Sequence, residues 1–343
     1  MLRCIQLAKN GLGTTYPNPL VGSVIVCNGR IIGEGWHHKS GLGHAEVNAI
    51  LSVEEKVLLK TATIYVSLEP CSHHGKTPPC ADLIIASGIK KVIVGSRDPN
   101  PKVAGKGIQK LVSMGCEVRT GVLERACDDL NKRFFTFHQR QRPFVFLKWA
   151  ESADGFMAPL TAKRTSKKEP IWISNEYSRQ LVHKIRTTEQ AILVGTTTVE
   201  LDNPSLTARD WAGKNPLRVV IDRELRLTEE VSVLDREVKT IIITEKEKIQ
   251  KDNLFYEKID FSENLASQIC DVLYRYQIQS LIVEGGMKTL QTFIDERLWD
   301  EALIFKGTVN FVHGITAPKL QGSQFSEEKI KEDTLQQFKN HSK

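Results

Sequence analysis

The order of apolar and polar positions changes repeatedly along the first 120 residues. Short β-branched runs at residues 20–29 (LVGSVIVCNG) and 62–70 (ATIYVSLEP) end in turn-forming residues, as strands do. Residues 44–53 and 80–88 instead have the apolar spacing of helices, and Gly88 suits a helix C-cap. This alternation of strands and helices predicts a layered α/β sheet.

The pattern restarts after a polar stretch at residues 138–143 (HQRQRP). Residues 144–150 (FVFLKWA) form a continuous apolar run, which is typical of a strand in a sheet covered on both faces. Because single cores rarely grow past about 250–300 residues, we expect two α/β domains, residues 1–140 and 141–343. Further elements of the second domain are predicted as strands at 191–195, 217–222, 239–244 and 280–286, and helices at 175–188 and 287–300.

Composition narrows the class of protein. The 343 residues are 41% hydrophobic and 26% charged, and no apolar run approaches the roughly 18 residues of a membrane span. The first residues do not resemble a secretory signal, so a cytoplasmic location is expected. The net charge of +6 suits phosphorylated small molecules, whereas a nucleic-acid binder more often has a dense basic stripe. The seven scattered cysteines favour free thiols and a metal site over disulfides.

Three short motifs in the first domain suggest a zinc site. His44 and Glu46 form H-x-E at a predicted helix start, and Pro70-Cys71 and Cys80 follow. Zinc nucleobase deaminases have H-x-E followed by P-C-x-x-C, although here eight residues separate the cysteines. One imidazole and two thiolates leave the fourth zinc position for water, whose pKa the metal lowers. Glu46 would then move protons between that water, the ring nitrogen and the leaving ammonia.

Other interpretations remain open for the residues around this motif. His73 or His74 could complete a closed structural zinc site, or both could line the substrate entrance. Asn18, between two prolines, could bind a sugar hydroxyl or a base edge, or only cap a turn.

The second domain carries weaker signals. Gly285-Gly286 lies between a predicted strand and helix, where it could be a packing turn or a phosphate site, but it is not part of a G-x-G-x-x-G motif. Lys148 interrupts an apolar run, so it either reaches water from an edge strand or belongs to a site. The basic run at 162–169 is a solvated loop or a loop that faces a phosphate.

Taken together, several motifs resemble the bifunctional deaminase/reductase of riboflavin biosynthesis over nearly the whole chain. They are TYPNPLVG, GEGWHH, GHAEVNA, SLEPCSHHGKTPPC, DPNPKVAGKG, LKWAESADG, WIS, the segment from Val182 to Arg209, and VEGG. The resemblance implies a cytidine-deaminase-like α/β/α domain followed by a dihydrofolate-reductase-like domain that uses NADPH. It also implies zinc on His44, Cys71 and Cys80, with Glu46 as the proton shuttle, and a homodimer or homotetramer.

The resemblance also assigns residues of the reductase half. Lys148 would bind ribose hydroxyls or polarise the sugar as its ring opens, and the guanidinium groups of Arg186 and Arg209 suit a ribose phosphate. The expected NADPH contacts are Ala150, Trp172, Thr198, Asp202, Gly286, Met287, Lys288 and Thr289, and the expected substrate contacts are Arg186, Leu206, Arg209 and Glu284.

Three features depart from the family pattern. The loop at 157–171 is longer and more basic than usual, and Pro170 stands where the family commonly has a serine that contacts substrate. The chain ends at LQQFKNHSK, where the family usually adds a strand, so an edge strand is expected to be missing.

The expected reactions are hydrolytic deamination of a diaminopyrimidinone ribosyl phosphate and reduction of its ribose by NADPH. The alternative is a nucleic-acid or nucleotide deaminase whose C-terminal domain binds without catalysis.

Overall fold

A computed structural model describes residues 1–72, 78–100, 103–160 and 171–340. The chain divides into two compact units, Met1–Gln141 and Arg142–Lys343. No helix formed by these described residues is long and apolar enough to cross a membrane.

The first unit is built on a five-stranded sheet in the order β2-β1-β3-β4-β5. β1 runs antiparallel to β2 and β3, whereas β3, β4 and β5 are parallel. The strands are β1 Gly22–Cys27, β2 Arg30–Trp36, β3 Thr63–Leu68, β4 Lys91–Ser96 and β5 Glu117–Arg119. The helices are α1 Leu2–Lys9, α2 Ala45–Ser52, α3 Cys80–Ala86, α4 Lys106–Ser113, α5 Glu124–Leu130 and α6 Lys132–Arg140, with a 3-10 turn at Lys56–Lys60.

Strand alternation explains why helices cover both faces of this sheet. Ile25 and Ile64 pack into a core that includes residues of α2, α3 and α4. Their neighbours Val24 and Tyr65 point the other way and pack with α1. The first unit therefore has the expected α/β/α layers.

The second unit contains a nine-stranded sheet in the order β11-β10-β9-β8-β12-β6-β13-β16-β15. All neighbours from β11 to β13 are parallel, and β16 and β15 add antiparallel strands at one end. The strands are β6 Phe144–Glu151, β7 Phe156–Pro159, β8 Ala191–Gly195, β9 Leu217–Ile221, β10 Thr240–Thr244, β11 Leu254–Lys258, β12 Ser280–Gly285, β13 Glu301–Lys306, β14 Gly314–Thr316, β15 Ser323–Ile330 and β16 Asp333–Lys339. The helices are α7 Glu176–Thr188, α8 Thr196–Asp202, α9 Leu265–Arg275 and α10 Met287–Asp295, with a 3-10 turn at Ser232–Leu234.

The continuous apolar run of β6 is buried on both faces, as predicted. Val145 and Leu147 pack with residues of α9 and α10, whereas Phe144 and Phe146 pack with α7 and β16. β7 and β14 form a separate two-stranded sheet.

Sequence patterns missed several elements of the second unit. β13, β15, β16 and α9 were not anticipated, and the helix predicted at 287–300 ends at Asp295. The expectation of a missing edge strand is not met, because β16 pairs with β13 from Lys306↔Thr334 to Glu301↔Lys339 and β15 pairs with β16.

The C-terminal hairpin also fixes the start of α7. Asp333 is buried, and its Oδ2 accepts hydrogen bonds from Asn175 N at 2.8 Å and Ser178 Oγ at 2.6 Å. Asn175 caps α7 by accepting from Ser178 N at 2.9 Å, and its amide donates to Ile330 O at 2.7 Å. The hairpin and the helix are therefore tied together by polar groups as well as by apolar packing.

We expect Asp333→Ala to destabilise the second unit by about 1–3 kcal/mol, because it leaves one buried donor and one partly buried donor without their acceptor. Urea denaturation followed by circular dichroism would measure the change. The adjacent exposed Glu332→Ala is the matched control and should stay within about 0.5 kcal/mol of the unmutated chain. Equal effects of the two substitutions would contradict the proposed anchoring.

Candidate functional sites

Three potential metal ligands meet at the carboxyl end of β3. His44 is the residue before α2, Cys71 follows β3 through a short extended segment, and Cys80 opens α3. Their ligand atoms all lie within 4.8 Å of one another. His44 Nδ1 is 3.2 Å from Cys80 Sγ and 3.6 Å from Cys71 Sγ. Tetrahedral zinc with ordinary Zn–N and Zn–S bonds would separate such atoms by about 3.6 Å, so the three side chains fit this metal.

Backbone N–H groups at the start of α3 donate hydrogen bonds to Cys71. Cys80 N donates to Cys71 Sγ at 3.3 Å, and Ala81 N donates to Cys71 O at 3.1 Å. The hydrogen bond between the thiols lowers the pKa of Cys71 and raises that of Cys80. His44 has a raised pKa because it hydrogen-bonds to Cys71. The cluster therefore already favours a thiolate at Cys71.

Glu46 lies in the first turn of α2 and is only 3% exposed. Burial, with help from the neighbouring Cys71, raises the pKa of Glu46 to about 7. It does not belong to the group of three close ligands. A buried carboxyl that can hold or release a proton near neutral pH is suited to proton transfer.

His37, which was not identified from the sequence, connects Asn18 to this cluster. Asn18 Nδ2 lies 3.0 Å from His37 Nε2, and His37 Nδ1 lies 3.1 Å from Gly43 O. The His37 ring meets the His44 ring edge-on, with centroids 5.3 Å apart, and burial lowers the pKa of His37. Asn18 is thus more than a turn cap, and the GEGWHH motif already contained the missing residue. His73 and His74 lie outside the described residues.

In the second unit, three charged side chains form a buried cluster. Glu284 on β12 accepts two hydrogen bonds from Arg186 on α7, from Nε at 3.1 Å and from Nη2 at 2.8 Å. Lys148 Nζ on β6 is 3.9 Å from Glu284 Oε2. Burial opposes ionisation of Glu284, but Arg186 and Lys148 outweigh it and bring its pKa to about 2. Burial lowers the pKa of Lys148, while Glu284 acts in the opposite direction.

Lys148 is therefore not an edge-strand lysine. β6 lies between β12 and β13, and the Lys148 side chain is only 16% exposed. Arg186 also donates from Nη1 to Thr207 O at 2.9 Å, so three of its five N–H groups bond to protein atoms in addition to the substrate role expected for it. Arg209 is exposed and donates to Ser205 Oγ at 3.1 Å. Its guanidinium is therefore more accessible to solvent than that of Arg186.

His183, also not identified from the sequence, contacts Asp210 near the charge cluster. Its Nδ1 accepts from Asp210 N at 3.3 Å, and its Nε2 lies 3.2 Å from Asp210 Oδ2. Burial and the nearby Arg186 lower the pKa of His183 to about 4. His183 and Arg186 are three residues apart on α7, a spacing that places both on one helix face and could have indicated a shared role.

The glycine turn of β12 lies close to α8. A methyl group built on Gly286 would lie 3.2 Å from Thr198 Oγ1, and one on Gly195 would lie 2.8 Å from Thr289 Oγ1. The Gly285-Gly286 peptide is cis. These close approaches bring the β8–α8 and β12–α10 turns together at the carboxyl edge of the sheet, where nucleotide phosphates bind in many α/β proteins.

The remaining predicted residues are placed as follows. Ala150 lies near the end of β6, Asp202 ends α8, and Leu206 is buried with a φ of 56°. Trp172 is 53% exposed, and the Arg179 guanidinium lies 4.6 Å from its ring centroid. Met287 and Lys288 are in the first turn of α10. Pro170 and the basic run at 162–169 lie outside the described residues.

The charge cluster predicts a specific response to acid. Because the pKa of Glu284 falls from its usual 4.5 to about 2, its contribution to stability is present above pH 4.5 and is lost as the pH falls toward 2. The size of that contribution is on the order of 3 kcal/mol. Glu284→Gln should be less stable at pH 7 and should show a smaller loss of unfolding free energy between pH 5 and pH 2, measured by urea denaturation. The exposed Glu263→Gln should behave like the unmutated chain, and an unchanged acid response in Glu284→Gln would contradict the assignment.

Two family models match this chain. Residues 1–96 match the cytidine and deoxycytidylate deaminase zinc-binding region, and residues 143–341 match the RibD C-terminal domain. The first match includes His44, Glu46 and Cys71, and the second includes Lys148, Arg186 and Glu284.

Full-length relatives agree with these matches. The riboflavin biosynthesis protein RibD of Aquifex aeolicus is 42% identical over 332 residues, which cover 95% of this chain and 88% of the relative. RibD of Escherichia coli is 35% identical over 341 residues, with 94% and 88% covered. A crystal structure from Thermotoga maritima has 39% identity and a TM-score of 0.89, and the match covers 99% of this chain and 97% of that one. That protein is described as a diaminohydroxyphosphoribosylaminopyrimidine deaminase/5-amino-6-(5-phosphoribosylamino)uracil reductase.

These matches extend over both units, and they confirm the predicted combination of a deaminase-like and a reductase-like α/β domain. The chain belongs to the RibD family of riboflavin biosynthesis proteins.

Proposed function

We propose that this chain is a bifunctional enzyme of riboflavin biosynthesis. Residues 1–140 would deaminate 2,5-diamino-6-(5-phosphoribosylamino)pyrimidin-4-one, and residues 141–343 would reduce the ribosyl group of 5-amino-6-(5-phosphoribosylamino)uracil to ribityl. The observation that carries the proposal is the meeting of His44, Cys71 and Cys80 next to the buried Glu46. The alternative of a nucleic-acid deaminase with a non-catalytic second domain is not favoured, since residues 143–341 match the RibD C-terminal domain.

In the first unit, His44 Nδ1 and the two thiolates would hold zinc. The bound metal would supply the positive charge that makes a water molecule a nucleophile near neutral pH. Glu46 does not need to bind the metal, so its carboxylate is available to take a proton from water and deliver it to the pyrimidine ring nitrogen. Asn18, held by His37, would offer its carboxamide to the substrate.

In the second unit, the charge cluster and the glycine turn would receive substrate and cofactor. NADPH would supply the hydride. Gly286, Thr198 and Thr289 line the place where the turns after β8 and β12 approach each other, which suits a phosphate-bearing cofactor. The remaining proposed cofactor contacts are Ala150, Trp172, Asp202, Met287 and Lys288.

The substrate residues divide according to their accessibility. Lys148 carries a buried positive charge beside Glu284 and would donate hydrogen bonds to ribose oxygens. Arg209 is exposed and would bind the ribose phosphate, whereas Arg186 orients Glu284 and the segment around Thr207. Leu206 would contact the pyrimidine ring of the substrate. The proposal also includes a homodimer or homotetramer, as the family resemblance implies.

The first test separates the two reactions. With the diaminopyrimidine substrate and NADPH, the unmutated chain should release ammonia and oxidise NADPH, whereas Glu46→Gln should reduce deamination at least 100-fold because the proton carrier is lost. Supplied with the deaminated intermediate, Glu46→Gln should still oxidise NADPH at the unmutated rate.

The exposed Glu55→Gln is the control and should leave both reactions unchanged. If the unmutated chain performs neither reaction, the proposed function is wrong. If Glu46→Gln abolishes both, the assignment of one reaction to each unit is wrong.

The second test concerns Lys148. Lys148→Met should lower kcat/KM for reduction at least 100-fold, because the buried positive charge next to the sugar is removed, while ammonia release stays unchanged. The NADPH dissociation constant, measured by fluorescence titration, should change little, since Lys148 is assigned to the substrate. Lys184→Met, on the exposed face of α7, serves as control. If Lys148→Met reduces the substrate at the normal rate, the assignment of Lys148 to the reductase site is wrong.

A further inference from the structure

Glu69 is a buried carboxylate that neither proposed reaction uses. It follows β3 directly, precedes Pro70-Cys71, and is only 4% exposed. Its own backbone N–H donates to Ser96 O at 2.9 Å, which extends the β3–β4 pairing to a position two residues before Cys71. A carboxylate in such a place must find donors or pay a large desolvation cost.

Among the described residues, four backbone N–H groups donate to the Glu69 carboxylate. Oε1 accepts from Gly107 N at 3.0 Å and Ile108 N at 3.3 Å, in the first turn of α4. Oε2 accepts from Gly105 N at 3.0 Å and Asp98 N at 3.3 Å. An ionised carboxylate has about four acceptor positions, so these four bonds use its full capacity. Glu69 thus caps α4 from a distant part of the chain and places a negative charge at the helix N-terminus.

A close contact ties the same helix to the segment that carries Cys71. A methyl group built on Gly107 would lie 1.9 Å from the Pro70 carbonyl oxygen, so only glycine lets α4 lie this close. On its other side, Cys71 accepts hydrogen bonds from Cys80 N and Ala81 N at the start of α3. Residues 70–71 are therefore held between the starts of two helices, α3 and α4.

We infer that Glu69 is a positioning residue of the zinc site, which fixes the Cys71 thiolate by clamping α4 to the end of β3. The inference rests on the proposed metal site. Zinc ligands must be held to within about 0.5 Å of their productive positions, and groups that support ligands commonly change metal affinity 10–100-fold when mutated. Glu69 would act through the backbone of residues 70–71 and would not touch metal or substrate.

The experiment compares zinc affinity in two variants of the full chain. Glu69→Gln has nearly the same shape, but its amide NH₂ faces backbone donors and its charge is lost, so its zinc dissociation constant should rise about 10–100-fold. Competition with a chromophoric chelator measures that constant. The thiolate-to-cobalt absorption band of the Co²⁺-loaded chain should also shift in Glu69→Gln. Glu69→Asp keeps the charge but shortens the reach, so it should lose less affinity.

Glu296→Gln is the matched control. Glu296 also accepts two backbone N–H bonds at the start of a helix, from Ala266 at 2.9 Å and Ser267 at 3.0 Å, but it belongs to the second unit. Its substitution should leave zinc affinity unchanged. Reduction of the deaminated substrate, measured in the same samples, should be normal in Glu69→Gln, which shows that the second unit is folded, and circular dichroism should match that of the unmutated chain, which shows that the first unit keeps its helices and strands.

The outcomes separate this inference from the proposed function. If the unmutated chain does not bind zinc, the proposed metal site itself is wrong. If it binds zinc and Glu69→Gln binds it equally well with the same cobalt spectrum, Glu69 is not a positioning residue. If Glu296→Gln weakens zinc binding as much as Glu69→Gln does, the effect is general destabilisation and the inference is overturned. If Glu69→Gln does not accumulate as folded protein, Glu69→Asp decides by the same criteria.

Discussion

The need to satisfy carboxylates buried at the carboxyl ends of parallel strands shapes both units. Glu69 follows β3 and Glu284 lies on β12, and each is almost enclosed by protein. Burying such a charge without partners would cost many kcal/mol, so the chain must bring donors to it. The groups that come to each carboxylate belong to the segments that build the two candidate sites.

The two carboxylates are satisfied in different ways. Glu69 accepts four backbone N–H groups, which hold their geometry because they belong to a helix start and its preceding loop. Glu284 instead pairs with the cationic side chains of Arg186 and Lys148. Backbone donors suit the segment around Glu69, because they hold it in one position. Ionic side chains leave a charged group, Lys148, in the site that we propose for the substrate.

The sequence indicated candidate metal ligands because zinc chemistry restricts residue types. His44, Glu46, Cys71 and Cys80 were recognised from a motif whose residue types the chemistry requires, and the structure brings the three ligand atoms together. The apolar runs of β3, β6 and β8 were equally readable, since each is buried over most of its length. β15 was missed because nearly all of its residues are exposed, so it carries no apolar pattern.

The sequence by itself determined the α/β class, the positions of the main strands along the chain and the candidate ligands, because these depend on local periodicity and on residue chemistry. Only the tertiary structure showed that Arg186 holds Glu284 and Thr207, that Lys148 is central in its sheet, and that His37 links Asn18 to His44. Arg186 and Glu284 are 98 residues apart in sequence. A pairing of that kind leaves no periodic trace, since strand order and helix docking decide which distant side chains share a buried space.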